Sequence, residues 1–376
     1  MGGDRRARGA EHEAAAGRCA RLGHRRHRLH PRARRRPLVA AGRCRRARGR
    51  WDRGPAEPRR LVPPLLARRG WAVTIYEQFE LGHRLGSSHG RSRIFRLAYP
   101  DATWVRMATE SLRGWRELEE ECGTDLLELN GLLEVVRDAG RSSRDGLRDA
   151  GADFELLDAP EAQRRWPIHV PDGWTVLFQP EAGIVRADLA QEAFLDSARK
   201  HGAELHEHTR IESVDDVDAD VTIVTAGAWV RRLVPTVSVR PTRETVAYFR
   251  RDGAPIPSIG QLDPETRGHA QFSLHDARYG LKAGVHHAGR EIDPDEPGAP
   301  DAELVARIAE WVARIHTDVD PEPVEAETCL YTNTNDESFV FERNGPVVVG
   351  SPCSGHGFKF APLVGEKLAD LAEAKV

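Results

Sequence analysis

Ala72-Val73-Thr74-Ile75-Tyr76-Glu77, followed shortly by Leu85-Gly86-Ser87-Ser88-His89-Gly90-Arg91-Ser92-Arg93-Ile94-Phe95-Arg96, is the stretch that decides the fold. A run of β-branched and aromatic residues ending in an acid reads as a strand. In a dinucleotide-binding unit, an acid closing the second strand accepts hydrogen bonds from the ribose hydroxyls, and Glu77 is assigned that role. The Gly/Ser/His loop after it is the expected ligand edge of the strand. Arg93 and Arg96 stand three apart, which on a helical turn places them on one face.

Outward from this stretch, helix and strand patterns alternate. Trp104 to Cys122 has helical spacing, with Met107, Leu112, Trp115 and Leu118 on one side and Gly123 as the stop. Leu132 to Val136 reads as a strand, Ala187 to Gly202 as a helix, and Glu204 to Ser213 as a strand beyond it. Val221 to Val224 is a buried strand running into small residues. Val237 to Arg250 alternates like an antiparallel strand, Ala302 to Ile315 is helical, and residues 338–341 with 347–349 form a hairpin-like pair. A last helix spans Ala361 to Ala374, and the Pro/Asp-rich segment Asp293 to Gly298 is a loop. The fold class is mixed α/β: a Rossmann-like nucleotide domain interlocked with an antiparallel-sheet domain. Residues 64–130, 181–236 and 322–376 are assigned to the first, and residues 131–180 and 237–321 to the second.

Three further motifs carry chemistry. Val224-Thr225-Ala226-Gly227-Ala228-Trp229 ends a strand in small residues. Tyr279-Gly280-Leu281-Lys282-Ala283-Gly284-Val285-His286 sets a lysine within a strand. Thr328-Cys329-Leu330-Tyr331 precedes Ser351-Pro352-Cys353-Ser354-Gly355-His356-Gly357-Phe358-Lys359-Phe360. Only five lysines occur, at 200, 282, 359, 367 and 375, and two of them fall inside these motifs. Together with the loop at residues 85–99, and in the same order along the chain, these segments resemble the monomeric sarcosine oxidase and N-methyltryptophan oxidase family of FAD-dependent amine oxidases, within the D-amino-acid-oxidase superfamily.

The resemblance implies an enzyme with FAD bound covalently through Cys329. It implies cofactor contacts from Glu77, Ser88, Ser92, Arg93, Ala226, Gly227, Trp229, Gly355, Gly357 and Lys359. The two glycines at 355 and 357 would let the backbone approach the flat ring. A secondary amino acid would bind with its carboxylate held by Arg96 and Lys359. Its C–N bond would be oxidised to an imine, and dioxygen would be reduced to hydrogen peroxide beside Lys282, whose ammonium stabilises superoxide. His89, Arg93, His286 and Tyr331 would complete the catalytic wall. Residues 270–273 read Ala-Gln-Phe-Ser where sarcosine enzymes carry an aromatic pocket residue, which argues against sarcosine itself. Two other readings stay open: a non-covalent FAD amino-acid oxidase or dehydrogenase, and an inactive product with a basic nucleic-acid-binding arm.

The arm is the first 60 residues, which hold 20 Arg, 11 Ala, 8 Gly and 4 Pro, with no Lys, Ile, Phe or Tyr. Such a segment is expected to be disordered and to supply no core strand. With 5 acids it carries +15, so residues 61–376 carry 35 basic and 53 acidic groups, or −18. A body so acidic argues against a duplex-binding protein. A basic arm, an organellar transit peptide and GC-rich DNA read in the wrong frame all fit this composition, and the abrupt start of the pattern near Leu66 favours the last. The strand–Gly-x-Gly-x-x-Gly–helix unit that should open a dinucleotide fold is missing. Five unpaired cysteines (19, 44, 122, 329 and 353) without Cys-x-x-Cys spacing argue against metal and disulfides. The sequence has neither an 18-residue apolar run nor a secretory pattern, so a monomeric cytoplasmic enzyme is expected, with no membrane or nucleic-acid partner.

Overall fold

The computed structural model describes residues 42–46, 62–138, 142–262 and 270–374. Six of the described strands form one sheet, in the order Val340–Asn344, Val347–Ser351, Val221–Val224, Gly42–Arg46, Trp71–Tyr76 and Glu204–His206. Val221–Val224 runs parallel to Val347–Ser351, and Trp71–Tyr76 runs parallel to Glu204–His206. Glu204–His206 is shorter than the strand expected to reach Ser213. The chain turns back after His206, with His208 at φ 50° and Thr209 N–H donating to Glu77 O.

Gly42–Arg46 corrects a second expectation, that the arginine-rich segment supplies no core strand. It fills the central slot, paired antiparallel to both neighbours. Backbone donors and acceptors on the two flanking strands need partners whatever side chains the partner carries, so a segment of poor β-composition serves. The disorder expected for the remainder of the segment concerns residues outside those described.

A second sheet of nine described strands runs Arg290–Glu291, Arg240–Arg250, Gly280–Val285, Gln271–Asp276, Ser258–Leu262, Leu132–Val136, Thr175–Gln179 and Glu155–Asp158, with Pro323–Asn333 also paired to Arg240–Arg250. Pro323–Asn333 thus pairs here, although the sequence pattern assigns its segment to the nucleotide part. The register positions the chemistry. Tyr248 stands opposite Lys282, Glu244 opposite Cys329 and Thr242 opposite Tyr331. Residues 242, 244 and 248 are an even number of positions apart, so Lys282, Cys329 and Tyr331 share one face of the sheet. The intervening residues Ala247 and Phe249, with Leu281 and Ala283, pack on the other face against Ile308, Trp311, Val312 and Ile315 of the helix Ala302–Ile315.

The longest described helix, Ala102–Cys122, starts where Asp101 Oδ1 accepts from Thr103 N–H at 2.6 Å and stops at Gly123, φ 67°. Its buried stripe is Val105, Ala108, Ser111, Trp115 and Leu118, while Met107 and Leu112 pack at its margin. Ser111 Oγ and Trp115 Nε1 both donate to Lys359 O, at 2.7 and 2.8 Å, which anchors the turn ahead of the helix Ala361–Glu373. No helix among the described residues is long and apolar enough to cross a membrane. No group of His, Cys, Asp and Glu among them could hold a metal ion.

Candidate active site

The C-terminal ends of Trp71–Tyr76 and Val221–Val224 open onto a cavity of about 1130 Å³ that continues across the Lys282/Cys329 face of the larger sheet. Every residue singled out above lines it: Glu77, Ser88, His89, Ser92, Arg93, Arg96, Ala226, Gly227, Trp229, Lys282, His286, Cys329, Tyr331, Gly355, Gly357 and Lys359.

The loop before Arg93 is stitched to the strand carrying Cys329. Leu330 N–H donates to Gly86 O at 3.2 Å, and Ser87 Oγ donates to Leu330 O at 2.5 Å. From the helix Ala187–Lys200, Asp188 accepts from Gly90 N–H at 2.7 Å and Gln191 donates to Ser88 O at 2.8 Å. The loop is therefore held on two sides. Arg93 donates to Ser87 O (3.0 Å) and Ser92 O (3.1 Å), and Lys282 Nζ donates to the same Ser92 carbonyl at 3.2 Å. Arg93 belongs to a short strand, Arg93–Phe95, paired with Gly183–Val185, so it does not share a helical face with Arg96. The three-residue spacing has meaning only for a helical period, which this backbone lacks. Arg96 instead lies over the Tyr99 ring, 4.0 Å from its centroid.

Burial sets the charge states. Lys282 is only 4 % exposed, and desolvation, then the nearby Arg93 charge, pulls its pKa down to about 7. Lys359 is 1 % exposed, and its pKa is lowered well below the usual lysine value by burial and then by Arg96. Its ammonium donates to His356 O at 2.7 Å and to Tyr99 Oη at 3.2 Å. His89 is pushed down to about 3, and His286 is lowered well below its ordinary value, chiefly by burial, so both are neutral near pH 7. His286 Nδ1 is 3.2 Å from Tyr331 Oη. Burial raises the Cys329 thiol, while Arg93 and Lys282 oppose that rise.

A Cβ on Gly355 would stand 2.2 Å from the Tyr331 ring and 2.6 Å from His286, and one on Gly357 only 1.5 Å from Pro352 O, so the protein's own packing needs both glycines. Gly227, on the cavity wall at φ 52°, has nothing within 4 Å of where a Cβ would stand. Trp229 Nε1 donates to Asp295 at 2.6 Å, and Glu77 Oε1 accepts from Phe79 N–H at 3.0 Å. Cys353 Sγ accepts from Thr332 N–H, a tie between the two C-terminal segments.

Sequence reasoning missed Tyr99 and His356 as site residues, and Ser111 and Trp115 as anchors of Lys359. Tyr99 Oη lies 3.2 Å from His356 Nδ1, and burial raises the Tyr99 pKa to about 12, so it stays a phenol. Tyr99 and His356 both sit inside sequence motifs, which is the signal that could have found them. Ser111 and Trp115 carry only a helical-face signal.

The ring-binding part of the cavity suits a flat polar group. His89 has both ring nitrogens buried without a partner, and Ser92 Oγ and Ser351 Oγ, on the same cavity wall, are orphaned as well. Unmet buried polar atoms of this kind call for a ligand or water. The pyrophosphate part does not fit: the central strand runs antiparallel to its neighbours, and the short helix Val62–Arg68 opens with two prolines that have no N–H to give.

A sheet whose strand ends open onto a cavity that also holds Arg93, Lys282 and Lys359 has room and charge for an anionic nucleotide cofactor beside a small substrate. Residues 65–371 match the family described as FAD dependent oxidoreductase. The chain is 30 % identical to human peroxisomal sarcosine oxidase over 340 residues, covering 82 % of this chain and 87 % of that one. It is 31 % identical to the monomeric sarcosine oxidase of Streptomyces avermitilis, covering 82 % and 88 %. Among solved structures, NikD, an unusual amino acid oxidase essential for nikkomycin biosynthesis, superposes with a TM-score of 0.73 at 23 % identity, over 83 % of this chain and 90 % of that one. L-proline dehydrogenase from P. horikoshii superposes with a TM-score of 0.72 at 20 % identity, over 83 % and 89 %. This chain belongs to the FAD-dependent oxidoreductase family and is sarcosine-oxidase-like.

Proposed function

We propose that this protein oxidises the C–N bond of a small secondary amino acid to an imine and passes the electrons to dioxygen, giving hydrogen peroxide. The observation that carries the reading is the pairing of Arg96 and buried Lys359 in one cavity with Lys282. Arg96 and Lys359 hold the substrate carboxylate, a charge-assisted contact in a site with little water. Ser111 and Trp115 fix the Lys359 backbone, so the amine is positioned before substrate arrives. His286, held neutral by burial and tied to Tyr331, presents an imidazole that can hydrogen-bond the substrate amine without adding charge to the site. Lys282 supplies positive charge where dioxygen is reduced. FAD, when bound, is the group that accepts the two electrons.

In this proposal the six-stranded sheet and its helices hold FAD and the nine-stranded sheet covers the substrate. Residues 64–130, 181–236 and 322–376 fall mainly in the first part, and residues 131–180 and 237–321 in the second. Cys329 bonds the flavin covalently, and the enzyme works as a monomer on small-molecule substrate and O2. Phe272 lines the same cavity with its ring against Gly284, where an added Cβ would stand 2.6 Å away, so an aromatic wall is present on the substrate side.

The test is anaerobic mixing of flavin-loaded protein with a panel of N-methyl and cyclic secondary amino acids. Bleaching of the flavin absorbance, and peroxide on readmitting air, are expected for at least one carboxylate-bearing amine and for none of the matching amines without a carboxylate. Equal turnover of both sets would refute the clamp.

A further inference from the structure

We infer that this chain takes a flavin by its ring end alone, so that its nucleotide site does not distinguish FAD from riboflavin. The inference rests on the flavin reading above and concerns a different part of the same cavity. In a dinucleotide fold the pyrophosphate lies at the carboxyl ends of parallel strands. It is held there by the N-terminal amides of the helix that follows the central strand across a glycine turn. Here Trp71–Tyr76 and Val221–Val224 point their carboxyl ends at the cavity, as Glu77, Thr225 and Ala226 on its wall attest.

The strand between them runs the other way. Gly42 is registered with Ile223, near that end, and Arg46 with Trp71, at the far end. The chain therefore leaves the cavity edge along this strand instead of arriving there, and a glycine turn at the phosphate position has no strand to follow. Sequence agrees with topology, because residues 1–61 contain no Gly-x-Gly.

The helix does not compensate. Val62–Arg68 has seven residues, about 10 Å of helix, and leads through Arg69 and Gly70 into Trp71. Its first turn contains Pro63 and Pro64, both on the cavity wall. Around them the wall is apolar: Leu66, Val73, Ile223 and Leu368. A doubly charged pyrophosphate placed there loses water and gains no N–H from Pro63 or Pro64 among the described residues, which is unfavourable. The ring end, in contrast, keeps its orphaned donors and acceptors at His89, Ser92 and Ser351. Affinity contributed by the pyrophosphate is what this chain forfeits, and Glu77, the acid at the ribose position, is already engaged by Phe79 N–H and His83.

The experiment titrates the purified full chain carrying Cys329→Ser, which removes the covalent step, with FAD and with riboflavin, following flavin fluorescence. It repeats both titrations on a variant in which residues 42–61 are replaced by an apolar strand, a Gly-x-Gly-x-x-Gly turn and a helical lead into Val62. Dissociation constants for FAD and riboflavin within about tenfold of each other in the parent are expected, with a preference for FAD of about 100-fold or more in the variant. A preference for FAD of about 100-fold in the parent, or FAD co-purifying in stoichiometric amount, would overturn the inference, because phosphate contacts would then come from the arginine-rich segment. Binding of neither flavin to the parent overturns it too, since the ring end would not suffice. A variant that folds, shown by an unchanged far-UV spectrum, but binds neither ligand refutes instead the flavin reading on which this rests.

Discussion

Replacing Lys282 by methionine should make the protein more stable, and by an amount that depends on pH. The amine is 4 % exposed and titrates at about 7 in the folded state, against 10.5 for a solvated lysine side chain. The unfolded chain therefore binds a proton between pH 7 and 10.5 that the folded chain does not. Folding stability then rises with pH across that window and is lowest, by a constant amount, below about pH 7. At about 1.36 kcal/mol per pKa unit the buried amine costs about 4 to 5 kcal/mol at neutral pH and below. Its hydrogen bond to Ser92 O returns about 1 to 2 kcal/mol. Methionine fills a similar volume with neither contribution, so Lys282→Met should gain about 3 kcal/mol at about pH 6 to 7. That gain should shrink steadily toward zero as pH approaches about 10. Urea unfolding of both proteins at unit pH steps across this range measures the difference directly. A destabilised mutant, or a gain that does not change with pH, would show that the ammonium is solvated or paired and would remove the reason for placing it against dioxygen.

Lys359→Met in flavin-loaded enzyme should raise KM for a carboxylate substrate by about 10- to 150-fold, the loss of one charged hydrogen bond of about 1.5 to 3 kcal/mol. Because burial and Arg96 lower the Lys359 pKa, the clamp is cationic only below that lowered value; carboxylate affinity should fall as pH rises through it, with proton uptake on binding, and Lys359→Met should flatten both, as calorimetry in buffers of different ionisation enthalpy would report. Cys329→Ser should abolish acid-stable flavin while leaving the circular dichroism unchanged, and yellow protein surviving acid precipitation of that mutant would place the bond elsewhere. Gly357→Ala, whose Cβ would stand 1.5 Å from Pro352 O, should cost about 3 kcal/mol or more by chemical denaturation, whereas Gly173→Ala, left-handed at φ 77° but with nothing within 4 Å, should cost only about 1 kcal/mol; similar losses at the two sites would mean that contact does not govern Gly357.

The residues legible in the sequence are those that local period places. Lys282, Cys329 and Tyr331 sit on strands whose alternation survives into the ladder, and one sheet face gathers them through residues 248, 244 and 242. Glu77 is legible because a strand end is a local event. Arg93 and Arg96 mislead because three-residue spacing carries no meaning until the backbone is known to be helical, and here it pairs as a strand with Gly183–Val185. Ser111 and Trp115 are invisible for a different reason: their partner is the carbonyl of Lys359, 248 and 244 positions away, and a carbonyl has no letter in the sequence. The glycines at 355 and 357 stand out in the sequence for a reason it does not contain, since only the packed structure shows that Tyr331, His286 and Pro352 occupy the space a side chain would need.

The central slot of the six-stranded sheet extends this point to composition. Composition excludes an arginine-rich stretch as a strand on the argument that side chains must fill a core, yet Gly42–Arg46 pairs there because the flanking backbones demand partners. Side-chain pattern and backbone pairing are separate constraints, and a segment that meets only the second can complete a sheet in either direction. Direction is what the chemistry needs. A parallel strand would deliver its turn and helix to the cavity edge, while an antiparallel one satisfies the same hydrogen bonds and delivers nothing there. The six-stranded sheet is thereby complete as structure and incomplete as a phosphate site, which is why cofactor selectivity, and not overall stability, is the property that the flavin titrations interrogate.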